Sequence, residues 1–486
     1  MTTPSASTIA STIASAAIAT TRPTTPREKA LAINLDGRRY GTFAEIGAGQ
    51  EVVRWFFQAG GAARTIAKSI SAYDMTVSDA IYGDCDRYVA RERLEAMLDY
   101  EQHLNLERLT SKRGDHTAFF TFADTVAARS FHTTHECHGW MGVKFQSHPR
   151  DESSQVLLHV RMLDSENALQ QEALGVVGVN LLYGCCMLYH EPEALLQSLL
   201  DGLSTQRIEI DMVEFSGIEF RHVDNRIMSL RLVQLGLSGA AMIAADGHVL
   251  QPSEVLRHRA VLIERGRFRP VTHVNMDLLN SALQQFDLEK SDTDEATLPL
   301  FEITMNNLAE VDGQVDLQDF ISRAEVLATT GHIVMISDYF EYYRLAAYVS
   351  RYTSGRIGIA LGVPGLQELF NEAHYTSLDG GILESFGRLF KNELKLYVYP
   401  TLDGATGELT TVRNMQVGGV LRQLYNYLVE RGCIVPLDNF DADVLHIYSP
   451  DVLARIQTGA DGWESMVPDA VADAIKARRL FGYAGE

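Results

Sequence analysis

Basic side chains are scarce in this chain: 42 lysines and arginines stand against 63 aspartates and glutamates, a formal net charge of −21. Nucleic-acid phosphates would be repelled unless a basic patch were strongly concentrated, so no nucleic acid is expected as a partner. Long hydrophobic runs are also missing. No stretch approaches the roughly 18 uninterrupted apolar residues that a membrane span requires, and no membrane partner is expected. Cysteine is rare and odd in number, five residues in all (Cys85, Cys137, Cys185, Cys186 and Cys433). The mildly apolar stretch 9–19 lacks leucine and a basic n-region. Both features argue against a secreted disulfide framework and for reduced thiols in the cytoplasm.

What is present is an ordinary globular composition, 46% apolar and 22% charged, in a chain of 486 residues, too long for one ordinary core. Two domains are expected. Residues 1–27, rich in Ala, Thr, Ser and Pro and without an acidic residue, read as a disordered tail. Residues 28–255 form an N-terminal region that is α/β or α+β, and 256–486 a second domain. The clearest punctuation is 287–295, where five of nine residues are acidic, as in a linker or an exposed loop.

Downstream of that segment short apolar runs alternate with helix-period stretches. Strands are expected at 301–305, 332–337, 356–361 and 394–398, and helices at 317–328, 342–352, 366–370 and 419–430, the last ending at Gly432. Regular βαβα alternation specifies a doubly wound, Rossmann-like α/β sheet with its ligand crevice at the carboxyl ends of the strands. Upstream, strands are expected at 119–122, 156–163, 208–215 and 230–237, and a helix at 192–200.

The segment 260–285 begins with an apolar strand, turns at Gly266 and Pro270, and enters a helix near Val274. Such a turn aims backbone N–H groups and the positive end of a helix dipole at one point, a favourable place for phosphate. Arg257, Arg259, Arg265, Arg267 and Arg269, with His258 and His273, make it locally basic in an acidic chain. The alternative is that some of these arginines form ordinary ion pairs.

The run Gly266-Arg267-Phe268-Arg269-Pro270-Val271-Thr272-His273-Val274-Asn275 resembles the G-x-F-x-P-[I]-[HT]-x-x-H signature of the nucleotidylyltransferases that adenylylate nicotinate or nicotinamide mononucleotide. Residues 356–399 resemble the strand, G-x-D loop and helix of the same family, and 446–483 its I-S-S-T-x-I-R motif and terminal helix. The resemblance implies transfer of AMP from ATP to a mononucleotide with release of pyrophosphate, ATP entering with Mg2+ and no resident metal. Catalytic contacts to the triphosphate would come from Thr272, His273 and Asn275. The nucleotide-binding set would be Gly266, Arg267, Phe268, Arg269, Pro270, Gly362, Ser449 and Arg455. Three departures weaken the chemistry: Asn275 replaces the second histidine, Pro364 the acidic residue and Leu453 the arginine. Asparagine donates a hydrogen bond but carries no positive charge. The alternative is a protein that keeps the nucleotide fold as a non-catalytic sensor or scaffold. Its partner in either case is a nucleotide or another phosphorylated small molecule, and homo-oligomerisation stays open.

Four further features carry chemistry or imitate it. His132, His135, Cys137 and His138 have the donor types of a zinc site, but their spacing matches no standard one, and a polar loop is the alternative. Residues 43–50 are similar to the first glycine turn of methyltransferases that bind S-adenosylmethionine, although a plain turn explains them equally. Cys185 and Cys186 follow an apolar run and read as small packed hydrophobes. Glu214, Asp224, Asn225 and Arg226 line a site or form a surface network.

Overall fold

The computed structural model describes residues 22–47, 50–129, 136–290, 296–309, 314–404 and 406–485. Six strands make the first sheet: β1 (Arg39–Ile46), β2 (Ile66–Ile70), β3 (Ala118–Ala127), β4 (His138–Phe145), β5 (Ser154–Met162) and β6 (Ile208–Ser216), in the order β2-β1-β3-β4-β5-β6. β1 is parallel to β2 and β3, and β3 to β6 run antiparallel. Side chains alternate between two covers. Phe43, Phe122, Met141 and Leu158 face the helices Glu51–Ala59 and Asn167–Met187, while Ala44, Ala123, Trp140 and Leu157 face the helix Arg91–Arg113. Cys185 and Cys186 are buried among the former set, and burial pushes the Cys186 thiol up to about 11 and the Cys185 thiol well above its usual range. They are packing residues, as their sequence context indicates.

The second sheet contains β7 (Ala240–Ile243), β8 (Val249–Leu250), β9 (Val261–Arg265), β10 (Leu298–Thr304), β11 (Ile333–Ser337), β12 (Ile357–Gly362) and β13 (Lys395–Tyr399). After a small hairpin of β14 (Thr401–Leu402) and β15 (Leu409–Thr410), β16 (Ile434–Pro436) completes it, in the order β16-β13-β12-β9-β10-β11-β7-β8. From β9 onward its strands are parallel and wind outward in both directions from the β9/β12 pair. This is the doubly wound Rossmann-like topology, and β9/β12 is its switch point. The helices His273–Asp287, Leu317–Ala328, Ser449–Thr458 and Asp469–Arg478 cover one face, and Tyr342–Tyr352, Gly381–Leu389 and Arg422–Glu430 the other.

Two expectations are corrected here. Residues 230–237 are not a strand: Asp224 caps a helix, Asn225–Gln234, by accepting the Arg226 N–H at 2.9 Å. Met228 and Leu232 of this helix enter the first core while Leu230 and Val233 enter the second. Its apolar residues are divided between two cores and form no single stripe, so the helix loses its 3.6-residue signature. A boundary at 255/256 also cuts through the second sheet, because β7 pairs antiparallel with β11 and β8 with β7.

The two sheets are joined by buried polar groups. The Ser238 hydroxyl donates to Glu209 at 2.9 Å, Glu209 pairs with Arg161, and the Arg161 guanidinium lies 5.3 Å from the centre of the Tyr352 ring.

Candidate functional site

The parallel strands leave a crevice of 720 Å³ at their carboxyl ends, where β9, β10, β11 and β12 deliver their loops. Gly266 and Arg267 line it from β9, Thr304 and Asn307 from β10, Phe340 and Tyr342 from the β11 loop, and Pro364 with Glu368 from the β12 loop.

Arg265 forms one edge of the floor but is turned inward. Its Nε and Nη2 donate to the two oxygens of buried Glu302 at 2.6 and 2.9 Å, and Nη2 and Nη1 donate to the carbonyls of Tyr339 and Phe340 at 2.7 and 2.6 Å. The Tyr342 ring lies 4.2 Å below the guanidinium. Ser337 adds a hydroxyl donor to Glu302. This is a buried, fully hydrogen-bonded pair whose charge is spent internally. Arg269 is spent as well, its Nε lying 2.6 Å from Asp319. Arg267 is exposed and makes no ion pair with any described residue, so it is the cation the crevice offers to a ligand.

The two carboxylates at the mouth are engaged on the surface. Glu341 faces Arg344 at 3.4 Å, and Glu368 faces His374 at 3.0 Å. The His374 ring meets Phe340 edge to face with centroids 5.1 Å apart. Phe340 is 44% exposed, an aromatic surface on the same lining as Arg267, the unpaired arginine among the described lining residues.

The remaining residues of the turn serve the protein itself. Phe268 is buried against Phe301, 4.8 Å between ring centroids, and the position a Gly266 Cβ would take lies 2.8 Å from the Phe268 ring. The glycine is required because the phenylalanine folds back over it. Asn275 Oδ1 accepts the Thr272 N–H at 3.0 Å and its hydroxyl at 3.1 Å, while Asn275 Nδ2 donates to buried Glu264 at 3.0 Å. Burial pushes the Glu264 carboxyl well above its usual range. Thr272 and Asn275 therefore close the start of their helix, and with His273 and Gly362 they lie outside the lining of the crevice. Ser449 is the first residue of the helix Ser449–Thr458, and Arg455 donates to the Asp461 carbonyl at 3.0 Å. Neither reaches the crevice lining.

A triphosphate with its magnesium would need several free cations and uncommitted carboxylates around one point. Among the described residues the lining holds one unpaired arginine and two carboxylates, each beside a basic side chain, and this set does not fit that group.

Elsewhere, His132 and His135 lie outside the described residues. His138 Nδ1 is 3.0 Å from His159 Nε2, and His159 Nδ1 is 2.5 Å from Asp211 Oδ1, with Gln251 Nε2 3.2 Å from the same nitrogen. Burial and the His159 ring push His138 down to about 4. Together these side chains stitch β4, β5 and β6 to the segment that follows β8. Near the end of β1, Glu45 accepts the N–H groups of Val52 and Val53 at 3.0 and 2.9 Å. A carboxylate of the protein thus occupies the start of the helix Glu51–Ala59. Beside it, Asp124 accepts the Ile46 N–H at 3.1 Å. Burial pushes Glu45 up to about 7, and burial with the Glu45 charge pushes Asp124 well above its usual range. This acidic pair gave no sequence signal, because only the β1/β3 register sets Glu45 opposite Asp124.

No protein-family model matches the sequence, and no curated protein matches it closely enough to count as a relative. Among solved structures, the competence/damage inducible protein CihA from Agrobacterium tumefaciens is similar with a TM-score of 0.26 and 16% identity, over 33% of this chain and 94% of that one. A competence-damaged protein (CinA) superfamily protein from Enterobacter cloacae follows with a TM-score of 0.25 and 13% identity over 34% and 93%. Another from Escherichia coli has a TM-score of 0.23 and 13% identity over 31% and 83%. Likeness at this level assigns no activity to the chain.

Proposed function

We propose that the second domain binds a nucleotide carrying a single phosphate in the β9/β12 crevice, and acts as a binding or sensing module without adenylyl transfer. The observation that carries this reading is the charge inventory of the crevice. Of the two arginines on the lining, Arg265 is neutralised by Glu302, which leaves Arg267 for an anion; Arg269, which shares Asp319 with Arg323, lies outside the lining. One guanidinium matches one phosphate. The exposed Phe340 ring beside His374 offers a stacking surface for a base, and the carboxylates of Glu341 and Glu368 offer acceptors for ribose hydroxyls. A switch point of a doubly wound sheet is where such ligands bind in this architecture.

The second reading, adenylyl transfer, is favoured by the resemblance of 266–275 to the nucleotidylyltransferase signature. Against it stands Asn275, whose amide is consumed by Thr272 and Glu264. Pyrophosphate release by the full chain, supplied with Mg-ATP and nicotinate or nicotinamide mononucleotide, separates the two. The expected result is release no faster than in a Gly266→Trp control, and turnover that this control abolishes overturns the proposal.

A further inference from the structure

A second cavity, of 860 Å³, lies away from the crevice, where the two sheets meet. Its walls are the loop leading into the helix Asn225–Gln234, the turn between β7 and β8, the carboxyl half of the helix Leu317–Ala328, and Arg478 near the carboxyl end of the chain. Three arginines and two histidines line it, together with three carboxylates.

Each carboxylate has a basic side chain beside it. Asp224 grips Arg226 through Nε at 3.0 Å and Nη2 at 2.7 Å, and also caps the helix. Glu325 receives Arg226 Nη1 at 2.7 Å and pairs with Arg478 as well. Asp246 faces His248 at 3.0 Å. Two donors are left over. Arg221 and His222 are exposed neighbours on the lining and make no hydrogen bond or ion pair with any described residue. They precede a helix of ten residues whose start is capped by Asp224. The lining sets three arginines against three carboxylates, so in a chain with a net charge of −21 it is a locally less acidic surface, with the Arg221 guanidinium unpartnered on it.

We infer that this junction cavity is a separate binding site for a small phosphorylated metabolite, with its phosphate held by Arg221 and His222. Arg226 and Arg478 stand behind them, fixed in place by Glu325, and present guanidinium edges that a second phosphate group can reach by exchanging with that carboxylate. A volume of this size takes a nucleotide or a sugar phosphate. The inference does not rest on the reading of the crevice, whose lining shares no residue with this cavity.

Inorganic pyrophosphate is the probe. The full chain is treated with phenylglyoxal, with and without saturating pyrophosphate, and arginine modification is mapped by peptide mass spectrometry. Pyrophosphate is expected to slow modification of Arg221 at least fivefold. Calorimetric titration with the same probe is expected to give an affinity at least tenfold weaker in an R221A/H222A variant. Both replaced side chains are exposed, so the fold is retained, and circular dichroism checks it. Equal modification of Arg221 with and without the probe, or wild-type affinity in R221A/H222A, overturns the inference. So does loss of binding in R267A with R221A/H222A unaffected, which moves the anion to the crevice.

Discussion

Asn275 stands where the resembling signature has a histidine, and its three hydrogen bonds explain what it does there. Replacing it with alanine removes a cap acceptor, worth about 1 kcal/mol, and leaves a buried oxygen of Glu264 without its donor, worth roughly 1–3 kcal/mol more. N275A is therefore expected to unfold at lower denaturant, by about 2–4 kcal/mol in total, and chemical denaturation with an unchanged m-value checks this. The arginines of the same turn divide by partner. R269A loses one half-exposed ion pair to Asp319, costs under about 1 kcal/mol, and leaves ligand affinity within twofold. R267A removes the free cation and weakens mononucleotide binding at least tenfold, about 1.4 kcal/mol. From the sequence alone all these arginines look equivalent, because their partners Glu302 and Asp319 are dozens of residues away.

At the scale of elements, the helix Leu317–Ala328 supports the crevice from behind. Buried Arg323 donates to the carbonyls of Arg267 and Asn307 at 3.1 and 2.7 Å and pairs with Asp319 on its own helix. R323M leaves both carbonyls and a nearly buried carboxylate short of a partner, a loss on the order of 3–5 kcal/mol. Hydrogen exchange is expected to rise first in residues 266–268 and 307–309, and uniform protection there would contradict the role. This helix was legible in the sequence to its exact ends, because Asp316 caps it and its apolar residues keep a helical period. The parallel strands were legible too, as continuous apolar runs buried on both faces. The helix Asn225–Gln234 was not, since two cores share it, and neither was the antiparallel edge of β7 and β8, too short to show a period. Of the site, Gly266 and Arg267 were legible from the turn. Phe340, Glu341, Glu368 and His374 were not, because they come from separate loops that only the strand order brings together.

At the scale of the molecule, no helix among the described residues is long and apolar enough to cross a membrane. The sheets are welded by Asp211, His159 and Gln251 on one side and by Arg161, Glu209 and Ser238 on the other. A single calorimetric unfolding transition is expected, and two resolved transitions would contradict the weld. Stability also depends on pH through Glu45. Its folded value, about 7, lies above the ordinary carboxyl value of 4.5, so the native state holds the proton more tightly than the unfolded chain. That contribution is complete below about pH 4.5 and is lost as pH rises through 7, a fall of about 3 kcal/mol at 1.36 kcal/mol per unit. An E45Q/D124N variant is expected to flatten this slope in denaturation curves taken from pH 4.5 to 8, and an unchanged slope would sink the assignment. Arg267, not Arg269, is the arginine that meets the ligand in the proposed site. The most direct measurement is a calorimetric titration of nicotinate mononucleotide into the wild type, R267A and R269A. Saturable binding that weakens at least tenfold in R267A and holds within twofold in R269A is the predicted result, whereas no saturable binding to the wild type, or a loss confined to R269A, would contradict it.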